Sequence, residues 1–427
     1  MKVNKNISIL DLVECLSIAM DLISPSMSNH QRRVGYIAQK LAEEAGISGA
    51  DLNSVLVAGF LHDCGAFSLD ERNLAMEFEL SAPSAFLHRH AEAGYHLLRR
   101  FPPFHEVARF IRFHHLPWNH GAGNTYRDRD VPLCSHVLHL ADRIDVLIDK
   151  KRHILCQPKE IVKKIAGSAG TLFAPQLVEA FRVLAEKECF WLDIADIDSG
   201  NLWGAYSGFG RIMGDYDSLL GMTSIFSQII DFRSRFTATH SSGVSASAVI
   251  LARLLHMSED DCFMMKIAGN LHDLGKLAVP TKILEKPGKL SDEEFCIIRT
   301  HTYYTYKTLK RFREFDMISR WAAHHHERLD GKGYPFHKRG EDLTLGCRIM
   351  AVADVFTAIT EERPYRPGMD DSQAIRVLRN MVDSRALDPD IVQTLLDNFS
   401  EFGQVRRMVQ QEAFSEYREF EQHLVNF

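Results

Sequence analysis

The sequence predicts an all-α protein of two tandem helical domains, and three observations carry that reading. Apolar residues recur at spacings of three and four through much of the chain. Period-two runs between turn residues, the mark of strands, are nearly absent. One ordered set of histidines and aspartates is written twice. The length of 427 residues agrees, being too great for one ordinary core. Hydrophobic content of 45% beside 25% charged residues belongs to a folded globular chain and excludes a disordered one.

The helices can be justified in order. In "HQRRVGYIAQKLAEEAG" (30–46), Val34, Ile37, Ala38 and Leu41 share one face, and Gly46 suits the residue after a helix end. "PQLVEAFRVLAEKECFW" (175–191) repeats the pattern, with Pro175 suited to a first turn. "DSQAIRVLRNMV" (371–382) does the same near the other end. Between the halves, residues 193–218 are rich in Gly, Asp and Ser and break the helical pattern. We therefore expect domains over 1–200 and 225–427, joined by a linker over 201–224.

The net charge of −6 and pI near 6.4 argue against a general nucleic-acid coat protein, though not against a small anion in a locally basic pocket. Eight scattered cysteines, with no Cys-x-x-Cys pair, read as reduced thiols in a cytoplasmic protein. The opening segment is interrupted by Asp11, Glu14 and Asp21, and no apolar run approaches the ~18 residues of a membrane span.

The duplication is densest around two phrases, "VAGFLHDCGAFS" (57–68) and "IAGNLHDLGKLA" (267–278). His30, His62, Asp63, His90, His114, His115 and Asp142 recur in order as His240, His272, Asp273, His301, His325, His326 and Asp354. Packing alone gives no reason to choose histidine at five matched places. Imidazole and carboxylate together suit borderline divalent metals such as Fe, Mn, Zn and Co. Seven donors exceed what one ion ordinarily takes. A shared aspartate suits a metal pair about 3.5–4 Å apart, the arrangement used for in-line phosphoryl transfer.

At these residues the sequence resembles the HD superfamily of metal-dependent phosphohydrolases, and its second half resembles the HD-GYP branch. The linked motifs are "HDLGKLAVPTKILEKPGKLSDEEF" (272–295), His301, "HHERLDGKGYP" (325–335) and "RIMAVADVFTAITEERPYRP" (348–367). The resemblance implies a cytoplasmic phosphodiesterase that opens cyclic dinucleotides, namely cyclic di-GMP or 3',3'-cyclic GMP-AMP. The tandem layout is similar to that of bacterial cyclic GMP-AMP phosphodiesterases. It further implies that His240, His272 and Asp354 hold one metal, that His301, His325 and His326 hold the other, and that Asp273 bridges them. Lys276 would contact the scissile phosphate, where a fixed cation stabilises developing charge. Arg363 and Arg366 would hold the dinucleotide, with Asp330 and the Gly333-Tyr334-Pro335 loop shaping the pocket. Some members carry a glutamate four residues before the first histidine as ligand to a third ion. Phe236 stands there, so two ions (Fe, Mn or similar) are expected.

The first half keeps the seven donor types but has Ala66 in place of Lys276 and "HHLPWNHGAGNTY" in place of the Gly-Tyr-Pro segment. It resembles a generic HD domain. Regulation, ligand binding over further metal, and a 5'-nucleotidase acting on the linear product all stay open for it. The alternative for the whole chain is a scaffold that binds cyclic dinucleotides without cleaving them. The expected partner is the dinucleotide, with no nucleic-acid polymer and no membrane; a homodimer stays open.

Overall fold

The computed structural model describes residues 8–23, 28–67, 84–197, 216–233, 237–362 and 367–425. Helices dominate them: α1 Ile9–Asp21, α2 His30–Glu44, α3 Gly49–Leu61, α4 Ser84–Leu98, α5 His105–Arg112, α6 Leu133–Val146, α7 Pro158–Gly167, α8 Pro175–Ala185 and α9 Glu188–Ala195. They continue as α10 Tyr216–Asp231, α11 His240–Leu254, α12 Glu259–Leu271, α13 Thr281–Leu284, α14 Asp292–Leu309, α15 Asp316–Ala323, α16 Leu345–Thr360, α17 Asp371–Asp383, α18 Pro389–Asp397 and α19 Phe399–Val425. The sheet among the described residues is one antiparallel pair, Thr125–Tyr126 with Arg129–Asp130. The all-α class is as the sequence predicts. No described helix is long and apolar enough to cross a membrane.

Local chemistry explains the helix ends. In α2 the predicted face, Val34, Ile37, Ala38 and Leu41, is buried, and Gly46 follows at φ +80°. Pro175 opens α8, where a missing N–H costs nothing. Reciprocal capping boxes, Ser291 with Glu294 and Asp370 with Gln373, start α14 and α17.

By its internal contacts the chain divides into two compact units, one of Leu16–Ile212 with Gln422–Phe427 and one of Met1–Cys15 with Met213–Glu421. The expected linker over 201–224 differs from the structure at its C-terminal end. Residues 216–224 are the first turns of α10, where Asp217 favours a helix N-terminus although it reads as linker composition. Residues 193–195 likewise belong to α9, and 201–215 lie outside the described residues.

In each unit two helices cross closely at the repeated Ala-Gly. A Cβ on Gly59 of α3 would stand 2.4 Å from the Gly35 Cα of α2. One on Gly269 of α12 would stand 2.5 Å from the Ser245 Cα of α11. Any larger residue would push these helices, and the histidines they carry, apart.

Candidate metal centre

Both copies mount their candidate ligands at the same places. His30 and His240 open α2 and α11; His62-Asp63 and His272-Asp273 follow the ends of α3 and α12. His90 lies in α4 and His301 in α14, while His114-His115 and His325-His326 follow α5 and α15. Asp142 and Asp354 lie in α6 and α16. All are buried except His326, whose side chain is 31% exposed and so marks the open side of the second cage.

Backbone carbonyls fix most of the imidazoles. Nδ1 of His62, His272, His114, His325 and His301 lies 2.8, 2.7, 2.6, 2.6 and 2.6 Å from the carbonyl oxygen three residues earlier. A carbonyl only accepts, so Nδ1 carries the proton and Nε2 keeps a lone pair. Four of those five rings follow helix C-termini, where spare carbonyls need donors.

In the second copy these lone pairs converge. His240, His272 and Asp273 form one group of donors within 4.8 Å of one another, and His301, His325 and His326 form another. Asp273 stands between them. Its Oδ2 is 3.2 Å from His272 Nε2 and 3.9 Å from His240 Nε2, while its Oδ1 is 3.5 Å from His301 Nε2. Asp354 adds Oδ1 at 3.2 Å from His240 Nε2 and Oδ2 at 3.6 Å from His326 Nδ1.

The donor set fits divalent metal. His272 Nε2 and Asp273 Oδ1 are buried without hydrogen-bond partners. His301 Nε2 and His325 Nε2 are 3.3 Å apart, with both protons already committed to carbonyls. Two lone pairs facing each other at that distance repel unless a cation lies between them. The separation is also that of neighbouring ligands on an ion bound at about 2.0–2.1 Å. Burial pushes His301 down to about 3 and His325 well below its ordinary value, so both offer lone pairs. At His240 burial acts the same way, but the Glu361 and Asp354 carboxylates outweigh it and raise the ring to about 10. Burial pushes Asp273 upward, yet its neighbours His272 and Lys276 hold it well below the usual carboxylate range.

Substrate-handling candidates fall into three groups. Lys276 is in place, with Nζ 2.5 Å from Asp273 Oδ2. Tyr334 walls the open side, its ring 4.9 Å from that of His326, with the Arg299 guanidinium 5.0 Å over it. Asp330 is turned to its own loop, taking bonds of 3.0 and 2.7 Å from Arg328 and 3.0 Å from the Lys332 N–H. Arg363, Arg366 and Phe236 lie outside the described residues.

The first copy repeats the cage. His30, His62 and Asp63 form one group and His90, His114 and His115 the other. Asp63 again faces both, with Oδ2 3.4 Å from His62 Nε2 and Oδ1 3.5 Å from His90 Nε2. In place of the lysine, Gln31 Nε2 donates to Asp63 Oδ2 at 3.2 Å. Arg143 donates to Asp142 at 2.5 and 3.2 Å, whereas the matching neighbour of Asp354 is Val355. The sequence reading missed Gln31, Arg143 and the carboxylates behind the first histidines, Asp145 and Glu361. The one available signal was an acidic residue three positions beyond Asp142 and another seven beyond Asp354.

Comparison with known proteins agrees with this geometry. Residues 224–391 and residues 27–147 each match a family described as "HD domain". A 3'3'-cGAMP-specific phosphodiesterase 1 of Vibrio cholerae is 29% identical over 409 residues, 94% of each chain. A 3'3'-cGAMP-specific phosphodiesterase 3 of the same organism is 33% identical over 297 residues, 67% of this chain and 63% of that one. A cyclic di-GMP phosphodiesterase of Pseudomonas aeruginosa is 43% identical over 142 residues, about a third of each. The crystal structure of a cyclic GMP-AMP-specific phosphodiesterase of V. cholerae, V-cGAP3, superposes with a TM-score of 0.65 at 25% identity, covering 92% of this chain and 98% of that one. Two family matches, a shared fold and a cage built twice lead to one conclusion: the chain belongs to the HD domain family and carries that domain in two copies.

Proposed function

We propose that this chain is a metal-dependent phosphodiesterase that opens 3',3'-cyclic dinucleotides to linear dinucleotides bearing a 5'-phosphate. The observation that carries this reading is Asp273, whose two oxygens face two separate histidine groups while Lys276 stands on one of them. A relative matched over 94% of its length is specific for cyclic GMP-AMP, which supports that substrate over cyclic di-GMP.

His240, His272 and Asp354 would hold one ion and His301, His325 and His326 the other, with Asp273 shared. When bound, such a pair activates water and offsets charge on the phosphoryl oxygens. The chain's own residues do the rest. Carbonyl-bound Nδ1 protons keep the rings aimed inward, and Lys276 supplies a fixed cation beside the phosphate. Tyr334, its phenol held neutral by burial, closes the side where His326 meets solvent. Free cysteines throughout fit a reducing, cytoplasmic setting.

The test is turnover by the full chain with manganese(II) or iron(II) on both cyclic dinucleotides, with products identified by mass. The linear 5'-phosphorylated dinucleotide is expected, and Asp273→Ala abolishes it with the circular dichroism unchanged. Intact substrate under every metal condition refutes the reading in favour of a non-catalytic scaffold.

For the first copy we favour a regulatory role, because Arg143 already neutralises Asp142. Phosphate released from a 5'-phosphorylated linear dinucleotide, and lost in Asp63→Ala, would establish the 5'-nucleotidase alternative. The division between the copies then falls ahead of α10.

A further inference from the structure

The first histidine of each cage has a problem the others lack. His30 and His240 stand at the start of a helix, where the spare backbone groups are N–H donors. Such groups cannot accept an Nδ1 proton. The ring therefore needs a side-chain acceptor, and the two copies find different ones.

In the first copy the acceptor is Asp145, whose Oδ2 is 2.7 Å from His30 Nδ1. Arg33, one turn along α2, clamps that carboxylate through Nε and through NH2 at 3.0 Å. By the repeat, Asp145 corresponds to Thr357 and Arg33 to Gly243. Neither can do the work of its counterpart. The Thr357 hydroxyl is buried with no hydrogen-bond partner, as though its site were left behind by a polar group that moved.

The acceptor in the second copy is Glu361, with Oε2 3.1 Å from His240 Nδ1. Glu361 lies four residues beyond Thr357, and its N–H still bonds the Thr357 carbonyl at 2.9 Å. Glu361 caps the C-terminus of α16 one turn beyond Thr357, and its longer side chain reaches back to His240. Gln410 of α19 replaces the arginine as brace, with Nε2 3.4 Å from Glu361 Oε2 and 3.3 Å from the Thr239 carbonyl. Gly243 makes this possible. A Cβ there would stand 2.9 Å from Gln410 Nε2 and 2.8 Å from Thr357 Cγ2, so an arginine cannot return without displacing both. Glu361 and Gln410 thus stand in for the Asp145–Arg33 pair of the first copy.

We propose that Glu361, braced by Gln410, is the positioning residue for His240. It fixes the ring with Nε2 toward the cage and takes over the role that Asp145 fills in the first copy. The assignment rests on the metal-dependent reading above.

The experiment measures manganese(II) affinity by chelator competition on the full chain, in an Asp63→Ala background so that the second copy reports. Removing an orienting partner of this kind costs about ten- to a hundredfold in affinity. That loss is expected for Glu361→Ala, and adding Thr357→Asp, which returns the carboxylate to the first copy's position, recovers most of it. A merely structural role would not respond to such a relocation. Glu361→Gln keeps the shape if the alanine variant melts too early, and weakens binding by a smaller factor. Parent-like affinity in both single variants, or no recovery in the double variant, overturns the proposal. A parent that takes up no manganese overturns the metal-dependent reading and this assignment together, which keeps the two failures distinct.

Discussion

Lys276 Nζ lies 2.5 Å from Oδ2 of Asp273, the same oxygen that faces His272. The matching oxygen of Asp63 receives a neutral amide from Gln31 instead. The two cages therefore share a layout of candidate ligands and differ in the charge placed beside the aspartate that faces both histidine groups.

Replacing Lys276 with methionine removes that charge and keeps much of the side-chain length. Dinucleotide turnover is expected to fall by about 10²–10³, the usual cost of losing one preorganised electrostatic group. Metal content by mass spectrometry should stay at the parent level, because the lysine donates no lone pair.

Gly275 is where the turn after His272-Asp273 meets α14. A Cβ there would stand 1.9 Å from the His301 carbonyl oxygen, and one on Gly65 would stand 2.2 Å from that of His90. Gly275→Ala should destabilise the fold by about 1–3 kcal/mol through overpacking and abolish turnover by displacing His301. Gly65→Ala should give a similar loss in a melting experiment with ring opening retained.

Chelation tests the cage as a whole. The metal-free protein must hold His301 Nε2 and His325 Nε2 at 3.3 Å with no cation between them. Restoring manganese at a hundredfold over its dissociation constant should stabilise the chain by about 2.7 kcal/mol. The melting temperature should rise on titration, and Asp273→Ala should flatten the response.

Arg143→Val gives the first copy the residue that the second has at Val355. Asp142 then loses its cation inside a buried site, which destabilises the metal-free chain. Added manganese should stabilise this variant more than the parent, because the freed carboxylate becomes available to an ion. Equal metal-dependent shifts in the two proteins would show that Arg143 does not restrain the first cage.

Much of this was legible in the sequence. The fourteen matched histidines and aspartates do converge into two cages, because each sits at a helix start, helix end or helix face fixed by a strong local pattern. The orienting carboxylates were not legible. Asp145 and Glu361 occupy different places in the repeat, so matching the copies hides both, and only coordinates reveal their common partner. The overlap of the expected linker's C-terminal end with α10 has a plainer reason. Asp217 and Ser218 read as loop composition, yet the same residue types also begin helices.

The carbonyl anchoring of His62, His114, His272, His301 and His325 bears on how such a duplicated protein can diverge. A main-chain oxygen survives any substitution at its own residue, so these five rings keep their aim through wide sequence drift. The first histidine depends instead on a replaceable side chain, Asp145 in one copy and Glu361 in the other. After duplication, that position is the one where the copies could change their wiring while leaving the rest of the cage intact.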